Sequence, residues 1–249
     1  RTNDPQSARF GVLQTGSGPF RFYGDGVTPI NSYTQLAQAV ANFVDFGAAT
    51  HAMRGYLPVA SIPAIVGTGL NQFAPKRNDE IANSWEIGSF EGVTYHKSNL
   101  LPLHTAGTLG NAATVLTVVS ISADGTQIVC SGAGTDSAAV KSGDLGQFAD
   151  STGLKFLTFI GHKPSDQPVQ FRVTADAASS AGSVTLNITP ALISTSGINT
   201  QNINKAVVAG MTLQLMPNHR AGLLWYKPAF FMGNPKLPPE KPFDSVSKI

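Results

Sequence analysis

The residue types that do chemistry are present in this chain, but their spacing does not assemble them. The five histidines are His51, His96, His104, His162 and His219. Two imidazoles from one element ligate a metal when they stand at an HxH or HExxH spacing, and neither pattern occurs. Cys130 ends an apolar strand pattern and reads as a small buried hydrophobe rather than a nucleophile. Gly67-Thr68-Gly69 lacks the later glycine and lysine that a dinucleotide or phosphate loop needs. Asp25, Asp45, Asp79, Glu80, Glu86 and Glu91 show no spacing that puts two carboxylates on one helix face, so an acid–base pair would have to be assembled by folding alone. The expectation is a protein with no catalytic residue, no cofactor and no metal. The credible alternative is a secreted, β-rich carbohydrate-binding or adhesin protein, in which Trp85, Trp225 and the tyrosines stack on sugars. The run Leu223-Leu224-Trp225-Tyr226 is apolar on both sides of Trp225, which favours a core position for that ring.

Composition narrows the class. The 249 residues suffice for one or two domains. Only 13% are charged, about half the usual ~25%, and a sparsely charged surface suits a subunit that meets many neighbours. The 17 basic and 15 acidic residues form no basic stripe, which argues against a dedicated nucleic-acid reader. One cysteine excludes an intrachain disulfide framework, and no apolar run reaches the ~18 residues of a membrane helix. The chain opens at Arg1-Thr2-Asn3-Asp4 and stops just after a proline-rich stretch, which suggests a piece of a longer product.

The elements that must carry these residues fall into two blocks around a β-patterned run. Ser32-Tyr33-Thr34-Gln35 is a capping box and predicts a helix over Tyr33–Phe46, with Leu36, Val40, Phe43 and Val44 on one face and Gly47 as its stop. Gly55–Val59 reads as a short buried strand. Ser61 and Pro63 open a second helix with Ile65, Val66, Leu70 and Phe73 as its apolar positions, weakened by Gly67 and Gly69. Pro75–Asp79 is a turn, and Ile87–Tyr95 a strand or irregular crossing. Residues 114–121 are β-branched, Asp124-Gly125 turns the chain, and Thr126–Cys130 returns. Gly132–Gly146 reads as a polar, exposed loop. Leu154–Ile160 is apolar, and Val169, Phe171, Val173 and then Val184, Leu186, Ile188 alternate with polar residues, as half-buried strands do. Such short antiparallel strands suggest a small barrel or sandwich. Met211, Leu213 and Leu215 form a further strand. Pro228 interrupts the apolar run that begins at Leu223, and Leu237–Pro242 is stiff and extended.

Several of these segments resemble a known family. Gly55-Tyr56-Leu57-Pro58-Val59, Ile62-Pro63-Ala64-Ile65-Val66 and Gly69-Leu70-Asn71-Gln72-Phe73 are similar to the body of the coat proteins of short-tailed phages of the Salmonella phage type. Ile87–Val93 followed by Leu100–Thr108 resembles that family's junction into its insertion domain, and the likeness resumes at Asn199–Ile203 and Leu223–Phe230. The resemblance implies an α+β fold, the tailed-bacteriophage capsid fold, with axial and peripheral domain elements and an inserted small β-barrel, and with termini missing from this chain. Its parts would be an extended arm or loop (1–32), a first body part, mainly axial domain (33–99), the inserted barrel (100–194), a second body part (195–236) and a proline-rich strap (237–249). No segment reads as the family's long spine helix.

The implied role is that of a major capsid protein. It would self-assemble into an icosahedral head around double-stranded DNA, in the bacterial host cytoplasm. Its partners would be copies of itself in hexamers and pentamers, scaffolding and portal proteins, and packaged DNA at non-specific range, with no membrane. Ordering a residue costs about 1–2 kcal/mol of backbone entropy, and the two end segments have few periodic apolar positions. Phe20, Phe22, Tyr23 and Phe243 are therefore the expected inter-subunit contacts. The inserted module should have its two ends close together, one shared core for Val169, Phe171, Val173, Val184, Leu186 and Ile188, and the Ser131–Gly146 loop outside that core.

Overall fold

The computed structural model describes residues 21–28, 30–45, 53–69, 88–158, 161–195 and 200–226. They build an α+β body and a closed β-barrel, each with its own buried core.

The body begins with helix α1 (Tyr33–Asp45). The Gln35 N–H donates to the Ser32 hydroxyl at 3.3 Å, as the capping box requires, but the reciprocal bond goes one residue further back: the Asn31 N–H donates to Gln35 Oε1 at 2.8 Å. Leu36 and Val40 are buried, and Phe43 and Val44 pack against the same cluster, so the helix presents its expected face. That face covers a four-stranded sheet in the order β16 (Leu223–Tyr226), β1 (Met53–Pro58), β3 (Val93–Ser98), β2 (Ser89–Phe90). β1 is antiparallel to β16 and parallel to β3. A tight turn at Glu91 (φ 51°) and Gly92 (φ 74°) joins β2 to β3. Met53, Gly55 and Leu57 point inward, so β1 is half-buried rather than buried on both faces. Gly55 is required there, because a Cβ would stand 2.6 Å from the Tyr95 ring. A 3₁₀ turn (Val59–Ser61) runs into helix α2 (Ile62–Gly69) without a side-chain cap from Pro58, and Ile65 anchors that helix in the core.

After β3 the chain passes through β4 (Leu103–His104) and the single turn α3 (Thr108–Asn111) into the barrel. Six strands close on themselves: β11 (Gln170–Val173), β13 (Ser183–Thr189), β6 (Gln127–Ser131), β5 (Val115–Ile121), β14 (Thr212–Leu215) and β8 (Leu145–Phe148), which pairs back onto β11. All neighbours are antiparallel. A six-stranded barrel is narrow enough to be filled by its own side chains. Leu116, Val118, Ile128, Cys130, Phe148, Phe171, Val173, Val184, Leu186, Ile188, Leu213 and Leu215 do so. Phe171 lies over Gly146, its cross-strand partner, where a Cβ would be 2.4 Å from the ring, and it meets Phe148 edge-on at 5.8 Å. Two small ribbons, β7 (Asp136–Val140) with β12 (Ala177–Ser179) and β9 (Lys155–Leu157) with β10 (Pro164–Pro168), extend the module. The chain returns through β15 (His219–Arg220), which pairs with β4, and then enters β16.

Several expectations change. The barrel does not end at residue 194, because its closing strand β14 comes from the segment assigned to the body. Alternation identifies Met211–Leu215 as a strand without saying which sheet it joins. The segment 132–146 is not an exposed loop outside the core: it supplies β7 and β8, and Ala133, Ala139 and Val140 are core residues. β11 has no wet face, since Gln170 and Arg172 are only 3% and 4% exposed. Among the described residues the longest helix is α1, with 13 residues, so the implied spine helix has no counterpart there. Leu70, Phe73, the 75–79 turn, Pro228 and 237–249 lie outside the described residues. No helix among the described residues is long and apolar enough to cross a membrane.

Candidate functional site: the seam between body and barrel

Three groups of polar and aromatic side chains meet where the body joins the barrel or on the body's outer face. The first is the segment 21–23. Gln170, on the outer side of β11, accepts the Phe22 N–H at 3.1 Å and donates to the Phe22 carbonyl at 2.9 Å, and its Nε2 also donates to Gln147 Oε1 at 3.0 Å. The side-chain amide thus pairs with the arm as a neighbouring strand would, which explains the burial of Gln170 on β11. The Tyr23 hydroxyl bonds Gln38 on α1. The Arg21 guanidinium lies 5.1 Å from the centre of the Phe156 ring. Burial lowers the Arg21 pKa to about 10, and Asp45 at the end of α1 opposes the shift. The same Asp45 accepts the Asp166 N–H at 3.4 Å.

The second group is the neck. β4 and β15 pair His104 with His219 and Leu103 with Arg220, so the chain enters and leaves the barrel side by side, with the return at 219–220 rather than at residue 194. The two imidazoles are 5.3 Å apart, centre to centre. His104 donates from Nε2 to Asp144 Oδ1 at 2.7 Å. Asp144 has no exposed surface, and its other oxygen accepts the Lys141 N–H at 2.9 Å and the Gly107 N–H at 3.1 Å. His219 donates from Nδ1 to the Pro217 carbonyl at 2.8 Å. Asn218 completes the neck by accepting the Ala106 N–H at 2.7 Å.

The third group stands on the sheet face turned away from α1. Trp225 stacks on Tyr56 at 5.0 Å with 17° between planes, His96 lies 5.4 Å beyond Tyr56, and Arg54 Nη1 is 3.5 Å from the His96 ring. Trp225 is partly buried on that outer face and is not a core residue. Its neighbour Leu224 takes the inward position, because pairing with β1 sets which residues of the strand face α1.

Of the four expected contact residues, Phe20 and Phe243 lie outside the described residues. Phe22 and Tyr23 are half-buried within one chain, and the order of that segment has an internal cause in Gln170 and Gln38. Cys130 is fully buried, and burial pushes its thiol up to about 12. His104 and His219, which no spacing in the sequence joins, pair across a strand ladder, and His51 lies outside the described residues. Among the described residues no three His, Cys, Asp or Glu side chains converge as a metal site would need. The seam is a set of hydrogen-bonded interlocks.

By architecture the chain is a mixed α+β body carrying an inserted, closed six-stranded barrel. No family model and no curated protein matches it.

Proposed function

We propose that the chain is a shell-forming coat subunit of the tailed-phage type, working as a major capsid protein by geometry rather than turnover. The observation that carries this reading is the insertion itself. The chain leaves the body after β3 and returns at β16, and both crossings run through one clasped pair of strands, β4 and β15. That layout matches the body-plus-barrel plan implied by the local likenesses at 55–73, 87–108 and 199–230. Leu100 beside the clasp, Leu103 within it, and Val115 and Val119 on the barrel are each at least half exposed and offer apolar surface to neighbouring copies. Many modest contacts suffice in a closed shell, because copies held together bind as one. Phe20, Phe22, Tyr23 and Phe243 remain the proposed contact residues, and scaffolding, portal and packaged DNA the proposed partners. Sedimentation velocity over a wide range of concentration and salt tests the reading. Large, discrete assemblies support it, and a monomer under every condition removes it.

A second reading rests on the outward Trp225–Tyr56 stack: a secreted, β-rich sugar binder. It requires glycan binding that Trp225→Ala abolishes, and a silent glycan array dismisses it. Trp85, the other ring considered for this role, lies outside the described residues.

A further inference from the structure

Among the described residues, β4 and β15 are the two strands that carry the chain between body and barrel; each bears an imidazole, and the β7–β8 turn sets one buried carboxylate, Asp144, against them. β4 and β15 are joined by two residue pairs, His104 with His219 and Leu103 with Arg220. So short a ladder has little to spare, and the side chains decide whether it stays closed. Asp144 is saturated by His104 Nε2 and the N–H groups of Gly107 and Lys141. His219 is held to the Pro217 carbonyl through Nδ1 and faces the His104 ring at 5.3 Å. A second proton on His219 puts a positive charge beside the His104 ring, and the nearby carboxylate of Asp144 already has its bonds committed to His104, Gly107 and Lys141.

We propose that this clasp is a proton-operated joint: protonation of His219 beside His104 opens the β4–β15 pairing and frees the barrel to tilt on the body, while the barrel itself stays folded. The Phe22–Gln170 bonds form a second tie, so the barrel remains tethered when the clasp opens. The inference does not rest on the shell reading. It concerns a single subunit, and its failure would leave that reading standing.

The surroundings give the sign. From β15 come His219 and Arg220, from β4 His104, and from the β7–β8 turn Lys141 and Asp144, with Asp176 holding that turn through the Ser142 N–H at 2.7 Å. α3 and the Pro217–Asn218 step bring no charge. Burial is the chief cause that holds His219 below its ordinary value of 6.5; the Pro217 carbonyl works against the shift, His104 with it and Asp144 against it. A base depressed in the closed form binds its proton more readily once the clasp is open. The closed form is therefore favoured above pH 6.5 and loses ground as the pH falls toward the lower value of the closed clasp.

Native-state amide hydrogen exchange by NMR on the whole chain, corrected for intrinsic rates, reads the opening. Below pH 6.5, protection of the β4 and β15 amides should fall by up to about tenfold per pH unit, the slope for uptake of one proton. Protection at Val118, Ile128 and Leu186 in the barrel should not follow. His219→Asn keeps a donor near the Nδ1 position and should flatten the slope at the neck; His104→Gln keeps one near Nε2 and should reduce the slope, because burial of His219 remains. A flat wild-type profile overturns the proposal. So does a barrel that loses protection in step with the neck, or a slope that survives in both variants. If a variant does not fold, the wild-type comparison of neck with barrel decides alone.

Discussion

Replacing Phe171 by alanine tests the packing of the barrel at its tightest point. The side chain is fully buried, sits over Gly146 and meets Phe148 edge-on. Removing a buried phenylalanine costs about 3–5 kcal/mol, and more where the neighbours cannot collapse into the space. Here one wall is a glycine with no side chain to move, so the loss should be near 4 kcal/mol on that scale. With a urea slope of about 2 kcal/mol/M, the midpoint of barrel unfolding should drop by about 2 M. Gly146→Ala supplies a cross-check. Its Cβ would stand 2.4 Å from Phe171 Cζ and 2.9 Å from Leu215 Cδ2, an overpacking that costs about 1–3 kcal/mol. In the Phe171→Ala background the nearer clash is gone, so the double variant should lose clearly less than the two single losses added together. Val119→Ala, at a half-exposed position, should change stability by less than about 0.5 kcal/mol. A Phe171→Ala loss below about 1 kcal/mol, or strict additivity with Gly146→Ala, would refute the register in which Phe171 and Gly146 face each other across β11 and β8.

Three further outcomes follow from the same geometry. Gln170→Ala strands the Phe22 N–H and carbonyl and should cost about 1–3 kcal/mol, with limited proteolysis appearing near residues 21–28; unchanged resistance would contradict the arm tie. Cys130, whose thiol burial pushes up to about 12, should resist a thiol reagent at pH 8 in the native protein and react promptly in urea. Asp124, held down to about 2 by the Ser122 hydroxyl and then Thr126, should remain ionised well into acid. Its support of the β5–β6 turn is then present above the ordinary carboxylate range and lost as the pH falls toward 2, which a carboxylate NMR titration checks.

Local chemistry made part of this fold legible. Asp124-Gly125 carries its own turn signal, and the β5–β6 hairpin stands where that signal puts it. α1 was readable from apolar positions three and four apart and from its capping serine. What could not be read depends on pairing between distant segments. Alternation marks Thr212–Leu215 as a strand, but only closure of the barrel shows that it lies between β5 and β8. The run around Trp225 is apolar on both sides, so its facing is fixed by β1 rather than by its own residues. Asp144 looks like a surface residue by type. It is buried because the Gly107 and Lys141 N–H groups and His104 surround it, and the sequence carries no mark of the first and third of these. The His104–His219 pair has the same origin, in two short strands with the whole barrel between them.

The shell reading is tested most directly by electron microscopy of the full chain, expressed alone and with scaffold-type partners. The account predicts closed particles of uniform size in which the clasped β4–β15 neck joins each barrel to a continuous layer of bodies. Isolated monomers in every preparation, at concentrations where the chain is folded, would contradict it.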